Sequence, residues 1–277
     1  MRETQAEFAG AGLKEDGLSV TIVDITGADP NGTLASASFR GEVPYYTASV
    51  VKLFYLAYYT AQKERGRVPS HAEVERAVKD MIVDSSNDAT GLVVDAITGT
   101  TSGPPIANAR EWAAWKEKRN AVNRWFRARG YADLNVNQKT FCEDAYGREQ
   151  LFREDGKNRN LLTTRETARL VKEIAMREVA GAAGTAAMLE LLHRDLSAKA
   201  DPDSELEFAA SLAEYLPEGS VVWSKAGWAY DVRHLAARVV LSNGTDFALA
   251  VFTKGVKDEK KLIPRVFGAV AAHFAAR

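Results

Sequence analysis

A single cysteine, Cys142, excludes an internal disulfide, so the fold has to be held by its core and not by covalent staples. Histidine is scarce too. The four present (His71, His193, His234, His273) show no HExxH or CxxC spacing, which argues against a structural metal and leaves none to expect. Net charge is almost absent: 36 Lys and Arg against 37 Asp and Glu leave -1, which disfavours a dedicated nucleic-acid binder and suits a small-molecule substrate. No apolar run approaches the roughly 18 residues of a membrane span, and residues 1–20 lack the basic start and apolar stretch of an export signal. No internal repeat is present. What remains, 46% apolar and 26% charged over 277 residues, is a globular composition sufficient for one large domain or two modest ones.

Alternation of Leu18, Val20 and Ile22 with Ser19 and Thr21 predicts a strand over 18–25 and, after a turn at Gly27, Asp29, Pro30, Asn31 and Gly32, a second over 33–39. An apolar helix is expected over 49–65, stopped by Gly66, and its scarcity of charge predicts burial. Ser70 and Glu73 form a capping-box pattern opening a helix to Asp84 with Val74, Ala77, Val78, Met81 and Ile82 on one face. Helices are further predicted over 88–98 and 108–129, the second closed by Gly130, then from Thr163 (a capping box with Glu166) through 176, and over 185–196 and 204–215. Between 131 and 162 no period persists, and a structureless segment of that length is expected to be a loop over a site. Strands return over 220–228, 234–242 and 246–253, the last two joined at Asn243-Gly244-Thr245, before a final helix over 258–276. These elements predict an α+β protein: a mostly antiparallel five-stranded sheet built from both chain ends and flanked by helices, with an all-helical domain inserted. The sheet domain would take 1–65 and 200–277 and the helical domain 66–199, with the active site between them.

Ser49-Val50-Val51-Lys52 puts a hydroxyl and an amine one turn apart at a helix start. For Lys52 to act as a base, its pKa of about 10.4 must fall by roughly three units, about 4 kcal/mol, which burial beside a second cation would supply. With this serine and lysine content about one such spacing arises by chance, so the pair alone is weak. Ser85-Ser86-Asn87 falls at a helix junction, where a cap is the ordinary reading and a hydroxyl and carboxamide aimed into a cleft the functional one. Lys225-Ala226-Gly227 lies on a strand, where the glycine lets a ligand approach the backbone.

Each pattern occurs once, in the order helix start, helix junction, C-terminal strand. In that arrangement the chain resembles the class A β-lactamases and penicillin-binding serine hydrolases of the β-lactamase and D,D-peptidase superfamily, with their Ser-x-x-Lys, Ser-Asp-Asn and Lys-Thr-Gly elements. Met81-Ile82, Ala89 and Leu216-Pro217-Glu218-Gly219 extend the resemblance over essentially all of the chain from Leu18. It implies Ser49 as acylated nucleophile, Lys52 as base or proton relay, Ser85 as proton donor to the leaving nitrogen, and Asn87 as partner of the substrate amide carbonyl. Lys225 would hold a substrate carboxylate and keep Lys52 unprotonated, while the N–H groups of Ser49 and Trp228, beside Gly227, would form the oxyanion hole.

The departures shape the expectations. Ala226 lacks the family's hydroxyl, so Arg233 is expected to compensate in carboxylate recognition, and Ser86 replaces an aspartate. The stretch from Ser49 to Ser85 looks shorter than in the family and 99–120 looks inserted, which implies a different cleft rim. No Glu-x-x-Leu-Asn frame appears in 131–162; Glu143 is the first candidate for the deacylating base, Glu149 the second, and Glu154 lies close to the next helix. Arg159-Asn160 puts an amide where the family has an Arg-Asp pair. The resemblance implies β-lactam hydrolysis without metal or organic cofactor, in a periplasmic or secreted protein expected to be a monomer. A D,D-peptidase or esterase, and a binding domain acylated once without turnover, stay open as alternatives. Elsewhere the ordinary readings lead: Trp112, Trp115 and Trp125 as packing of the inserted helix, and Cys142 as a quiet packed thiol. For His234 a structural and a pocket-lining role stand level.

Overall fold

Period-two patterns at the two chain ends meet in one antiparallel sheet. The computed structural model describes residues 1–28, 33–142, 144–199, 201 and 204–275. A short helix α1 (Arg2–Glu7) precedes β1 (Leu18–Asp24), β2 (Ser36–Phe39) and β3 (Tyr45–Tyr46). Then come α2 (Val51–Lys63), α3 (Ala72–Val83), α4 (Asn87–Thr98), α5 (Ala109–Arg119), α6 (Ala121–Arg127), α7 (Gly147–Arg153) and β4 (Leu161–Leu162). The chain continues through α8 (Thr164–Ala175), α9 (Ala182–Leu192), β5 (His193–Arg194), α10 (Glu205–Ala213), β6 (Val221–Ala229), β7 (Val232–Val240), β8 (Asp246–Lys254) and α11 (Leu262–Ala275).

The sheet order is β2-β1-β8-β7-β6-β5, so the N-terminal hairpin pairs with the last strand. It has six strands and not the five expected, because α9 stops at Leu192 and the next two residues extend to pair with Val222 and Trp223. Of the predicted β1–β2 turn, Asp29, Pro30, Asn31 and Gly32 lie outside the described residues.

Alternate side chains of the strands serve two cores. Leu235, Ala237, Phe247 and Leu249 pack with Phe208 and Leu212 of α10 and with Val266 and Phe267 of α11. On the other face small residues, Ala236 and Ala248, leave room for α8, which lies along β1, β7 and β8. Every residue of α2 from Val51 to Gln62 is buried, as its composition predicts, with α3, α4, α6 and α9 around it.

Helix ends follow the local sequence unevenly. Gly66 and Gly130 take the left-handed conformations that end α2 and α6 (φ +63° and +80°). Ser70 does not cap α3; the helix starts at Ala72 with His71 in the cap position and no side-chain bond. Thr163 does cap α8, its Oγ1 accepting from the Glu166 N–H at 3.2 Å, but the Glu166 carboxylate accepts from Ala132 N–H instead of closing the box. The predicted 108–129 helix breaks at Asn120, whose Nδ2 donates to the Lys116 carbonyl, the local competition expected of asparagine inside a helix.

Helices α5 and α6 are packed into the body. Trp115 stacks on Trp112 and meets Phe152 edge-on, and Trp125 packs against Tyr58 and Phe126. Beneath them Arg119 is fully buried and bonds to both carboxylate oxygens of Glu149, at 2.9 and 2.7 Å, to Thr100 Oγ1 and to Asp95. Asp95 in turn holds Lys139 at 2.6 Å. Removing one partner of such a buried pair leaves a charge uncompensated, at a cost of about 3–5 kcal/mol. Glu149→Gln is therefore expected to lower the thermal midpoint by about 10 °C. Lys63→Ala, at the exposed Lys63–Glu75 pair, should shift it by no more than about 2 °C in the same differential scanning measurement.

Candidate active site

The start of α2 is aimed by the backbone before it. Ala48 sits at φ +43°, a left-handed conformation costing about 1–2 kcal/mol for a residue with a side chain, and the turn Ala48–Val50 carries Ser49 to the edge of a cleft. Strand β6 closes on this turn from the other side. A Cβ on Gly227 would lie 2.7 Å from Ser49 N and 2.8 Å from Val50 N, so only glycine allows the strand to approach the Ser49 turn this closely. Trp228, the next residue, lines the cleft with Ser49 and Asn87.

Lys52 lies one turn beyond Ser49 and is fully buried. Its Nζ reaches the Ser85 carbonyl at 2.5 Å, Asn87 Oδ1 at 2.9 Å and Ser85 Oγ at 3.2 Å. Ser85 is held at φ +54° in the junction between α3 and α4, while Ser86 caps α4 through Ala89 N–H. From β6, Lys225 reaches the same Ser85 Oγ at 2.9 Å. One hydroxyl therefore stands between two amines. Burial, and then the charge of Lys225, lower the Lys52 pKa to about 6, so near neutral pH it is a free amine. With its two N–H groups donated to the Ser85 carbonyl and Asn87, the lone pair is left for a hydroxyl.

Lys225 keeps a charge partner that sequence reading missed. Glu205, at the first turn of α10, ion-pairs with Lys225, accepts from Ala226 N–H at 3.0 Å, and lies 3.6 Å from Arg194 on β5. In sequence it looks like any acidic residue complementing a helix dipole behind a capping serine, here Ser204.

Two expected substrate contacts are displaced. Ala226 is fully buried in the core with Val222 and Leu235, because strand alternation turns it to the face opposite Lys225. Arg233 is buried on that face as well, over the Phe208 ring at 4.0 Å and 3.3 Å from Glu207, so it does not compensate for the missing hydroxyl. His234 is structural: its Nε2–H donates to the Tyr46 carbonyl at 2.8 Å and its Nδ1 accepts from Thr253 N–H, with burial lowering its pKa to about 4. Cys142 is exposed and not packed, its thiol 3.7 Å from Asp88.

The aperiodic segment forms the facing wall, through Gln138, Lys139, Thr140 and Phe141. It is pinned by asparagine amides. Asn160 Oδ1 accepts from the N–H groups of Asn137 and Gln138 and its Nδ2 donates to the Gln138 carbonyl; Asn135 and Asn137 both donate to Asn158 Oδ1. Glu149 and Glu154 do not line the cleft, and Glu143 lies outside the described residues. Among the described residues Asp144 is the only carboxylate in the lining, and no group of three His, Cys, Asp or Glu is placed to hold a metal ion.

A family model described as the beta-lactamase enzyme family matches residues 66–274. The chain belongs to that family. Solved structures share its fold over nearly the whole chain. PBP-A is 18% identical with a TM-score of 0.66, covering 100% of this chain and 97% of that one. The beta-lactamase from Sphaerobacter thermophilus DSM 20745 is 20% identical with a TM-score of 0.65, covering 99% and 97%. The chromosome-encoded beta-lactamase of Vibrio parahaemolyticus is 13% identical with a TM-score of 0.68, covering 99% and 98%. Among curated proteins none matches by sequence. No helix of the described residues is long and apolar enough to cross a membrane.

An amine that is neutral only above its pKa gives any proton transfer to it a pH limb of fixed sign. Labelling by a fluorescent penicillin is expected to be level above pH 7 and to fall about tenfold per unit below pH 6, as Lys52 takes its proton. In Lys225→Met the limb should move to higher pH, since the repelling charge is gone and Glu205 remains to favour the Lys52 ammonium. A limb at unchanged pH would separate the two lysines.

Proposed function

We propose that this protein is a serine hydrolase that opens β-lactams through an acyl-enzyme on Ser49. The observation that carries the proposal is the Ser85 hydroxyl within hydrogen-bond reach of both Lys52 and Lys225, behind a cleft that holds Ser49. Ser49 Oγ attacks the carbonyl and its proton passes to the neutral Lys52 amine. Charge on the carbonyl oxygen is met by the N–H groups of Ser49 and Trp228, held together by the Gly227 contact. When the ring C–N bond breaks, the nitrogen takes a proton from Ser85, which Lys52 replaces. Asn87, already fixed on Lys52, offers its Nδ2 to the substrate amide carbonyl. Lys225, buried against Glu205, acts on Lys52 through its charge. Water then hydrolyses the ester, with Glu143 the proposed base. Family membership supports an exported protein of the class A type, with the cleft between a sheet domain (1–65 and 200–277) and a helical one (66–199).

A second reading, a D,D-peptidase or penicillin-binding protein that keeps its acyl group, is favoured by one feature. The wall facing Ser49 offers amide and hydroxyl groups of Gln138, Thr140 and Asn160, and only the exposed Asp144 as a carboxylate among the described residues. A mutant of PBP-A is known as an acyl-enzyme complex with penicillin G.

Intact mass after mixing with benzylpenicillin tests both readings. The wild-type protein is expected to gain a penicilloyl adduct and lose it again, and Ser49→Ala to gain none while keeping its melting temperature. Labelling of Ser49→Ala at the wild-type rate would refute the nucleophile. Glu143→Gln should acquire the adduct at the wild-type rate and clear it at least about 100-fold more slowly, since an amide cannot take the proton from water. An adduct that the wild type itself holds for hours selects the second reading.

A further inference from the structure

The cations of the site are unequally committed. Lys52 is a neutral amine, Lys225 is paired with Glu205, and Arg233 faces Glu207 and Phe208 across the sheet. None of them is a free charge for a ligand. On the open side of the cleft Lys139 is held by Asp95, which leaves Arg153 and Arg159.

Arg159 is prepared in a specific way. Its guanidinium lies over the Tyr46 ring at 4.2 Å and 5.4 Å from the centre of the Tyr230 ring, and the two rings are 5.6 Å apart. Aromatic faces hold a guanidinium without consuming its N–H edge, which stays available to a planar anion. The backbone that carries each ring is itself fixed. Tyr46 pairs with Leu161 in the β3–β4 ladder and its carbonyl accepts from His234; Tyr230 sits at φ +54° in the tight β6–β7 turn. The neighbours of Arg159, Asn158 and Asn160, are locked in the asparagine network. No carboxylate pairs with Arg159 among the described residues, and Arg153 has only the fully solvated Asp144 at 3.9 Å.

We infer that Arg159, held against the rings of Tyr46 and Tyr230 and flanked by Arg153, is an anion subsite for the acyl portion of the substrate, selecting acyl groups that carry a carboxylate. This rests on the acyl-enzyme reading above. In that reading the leaving nitrogen must come to Ser85, which lies with the buried lysines and not in the cleft lining. The acyl group consequently occupies the part of the cleft bounded by Arg153, Arg159 and Tyr230. A carboxylate there meets a fixed fork of donors whose ordering cost is already met by the tyrosines.

Carbenicillin and benzylpenicillin differ only by a carboxylate on the acyl side chain, so their second-order rates of Ser49 acylation read the subsite directly. The wild-type protein is expected to favour carbenicillin, and Arg159→Met to lower the carbenicillin-to-benzylpenicillin ratio at least about tenfold, with Arg159→Lys restoring part of it. Added salt should reduce the wild-type ratio. A ratio unchanged in Arg159→Met, or equal losses on both penicillins, would overturn the subsite. If neither penicillin labels Ser49, the hydrolase reading itself fails, and the subsite stands or falls on phenylmalonate. Saturable binding in an NMR titration that is lost in Arg159→Met supports it, and no saturable binding to the wild-type protein refutes it.

Discussion

Lys52 and Lys225 both reach the Ser85 hydroxyl, so their nitrogens lie at most about 6 Å apart in a place closed to water. Two positive charges at that distance repel by about 3 kcal/mol at an effective dielectric near 20, equivalent to about two pKa units, before the cost of burial is added. Burial and this repulsion together leave Lys52 without its proton near neutral pH. Glu205 breaks the symmetry by pairing with Lys225, so Lys52 is the amine that gives up its proton near neutral pH. The surrounding chain serves this choice. The two-residue strand β5 brings Arg194 to the second oxygen of Glu205, and Ala226 N–H bonds to that oxygen too, so the carboxylate is held by three groups and not by Lys225 alone.

The backbone around the site is held in conformations that its side chains disfavour. Ala48 and Ser85 are left-handed although neither is glycine, and each stands at the point where the chain turns sharply to present a serine hydroxyl at the cleft or to the buried lysines. Such positions persist only where the surroundings outweigh them. Here α2 is buried between helices from Val51 to Gln62 and β6 presses on the Ser49 turn through Gly227, so relaxing Ala48 would uncover core on both sides. Strain and packing are thus coupled at Ser49.

What was legible in the sequence is what lies on regular elements. The Ser49–Lys52 spacing, the helix junction carrying Ser85 and Asn87, and the strand carrying Lys225 sit where periodicity fixes direction, and the structure brings all five together. The same periodicity separates Ala226 from Lys225, a consequence of alternation that the motif obscured. Glu205 was not legible, because a first-turn glutamate is common and only the fold places it under β6. Arg159 was not legible for a related reason: its two tyrosines come from segments more than 180 residues apart.

The loop over the site shows how an uncharged network substitutes for an ionic one. Where the family's usual pair would put an arginine against an aspartate, Asn160 accepts two backbone N–H groups and returns one bond to the Gln138 carbonyl, and the Tyr55 hydroxyl donates to that carbonyl as well. Amides do not titrate, so the cleft wall at Asn137 and Gln138 has no reason to loosen as acid protonates carboxylates elsewhere. Lys52 changes charge near pH 6, well above the range in which carboxylates ordinarily take up protons. Acid therefore protonates the Lys52 amine in an intact cleft before it reaches the carboxylates that hold the fold, because different chemistry sets each.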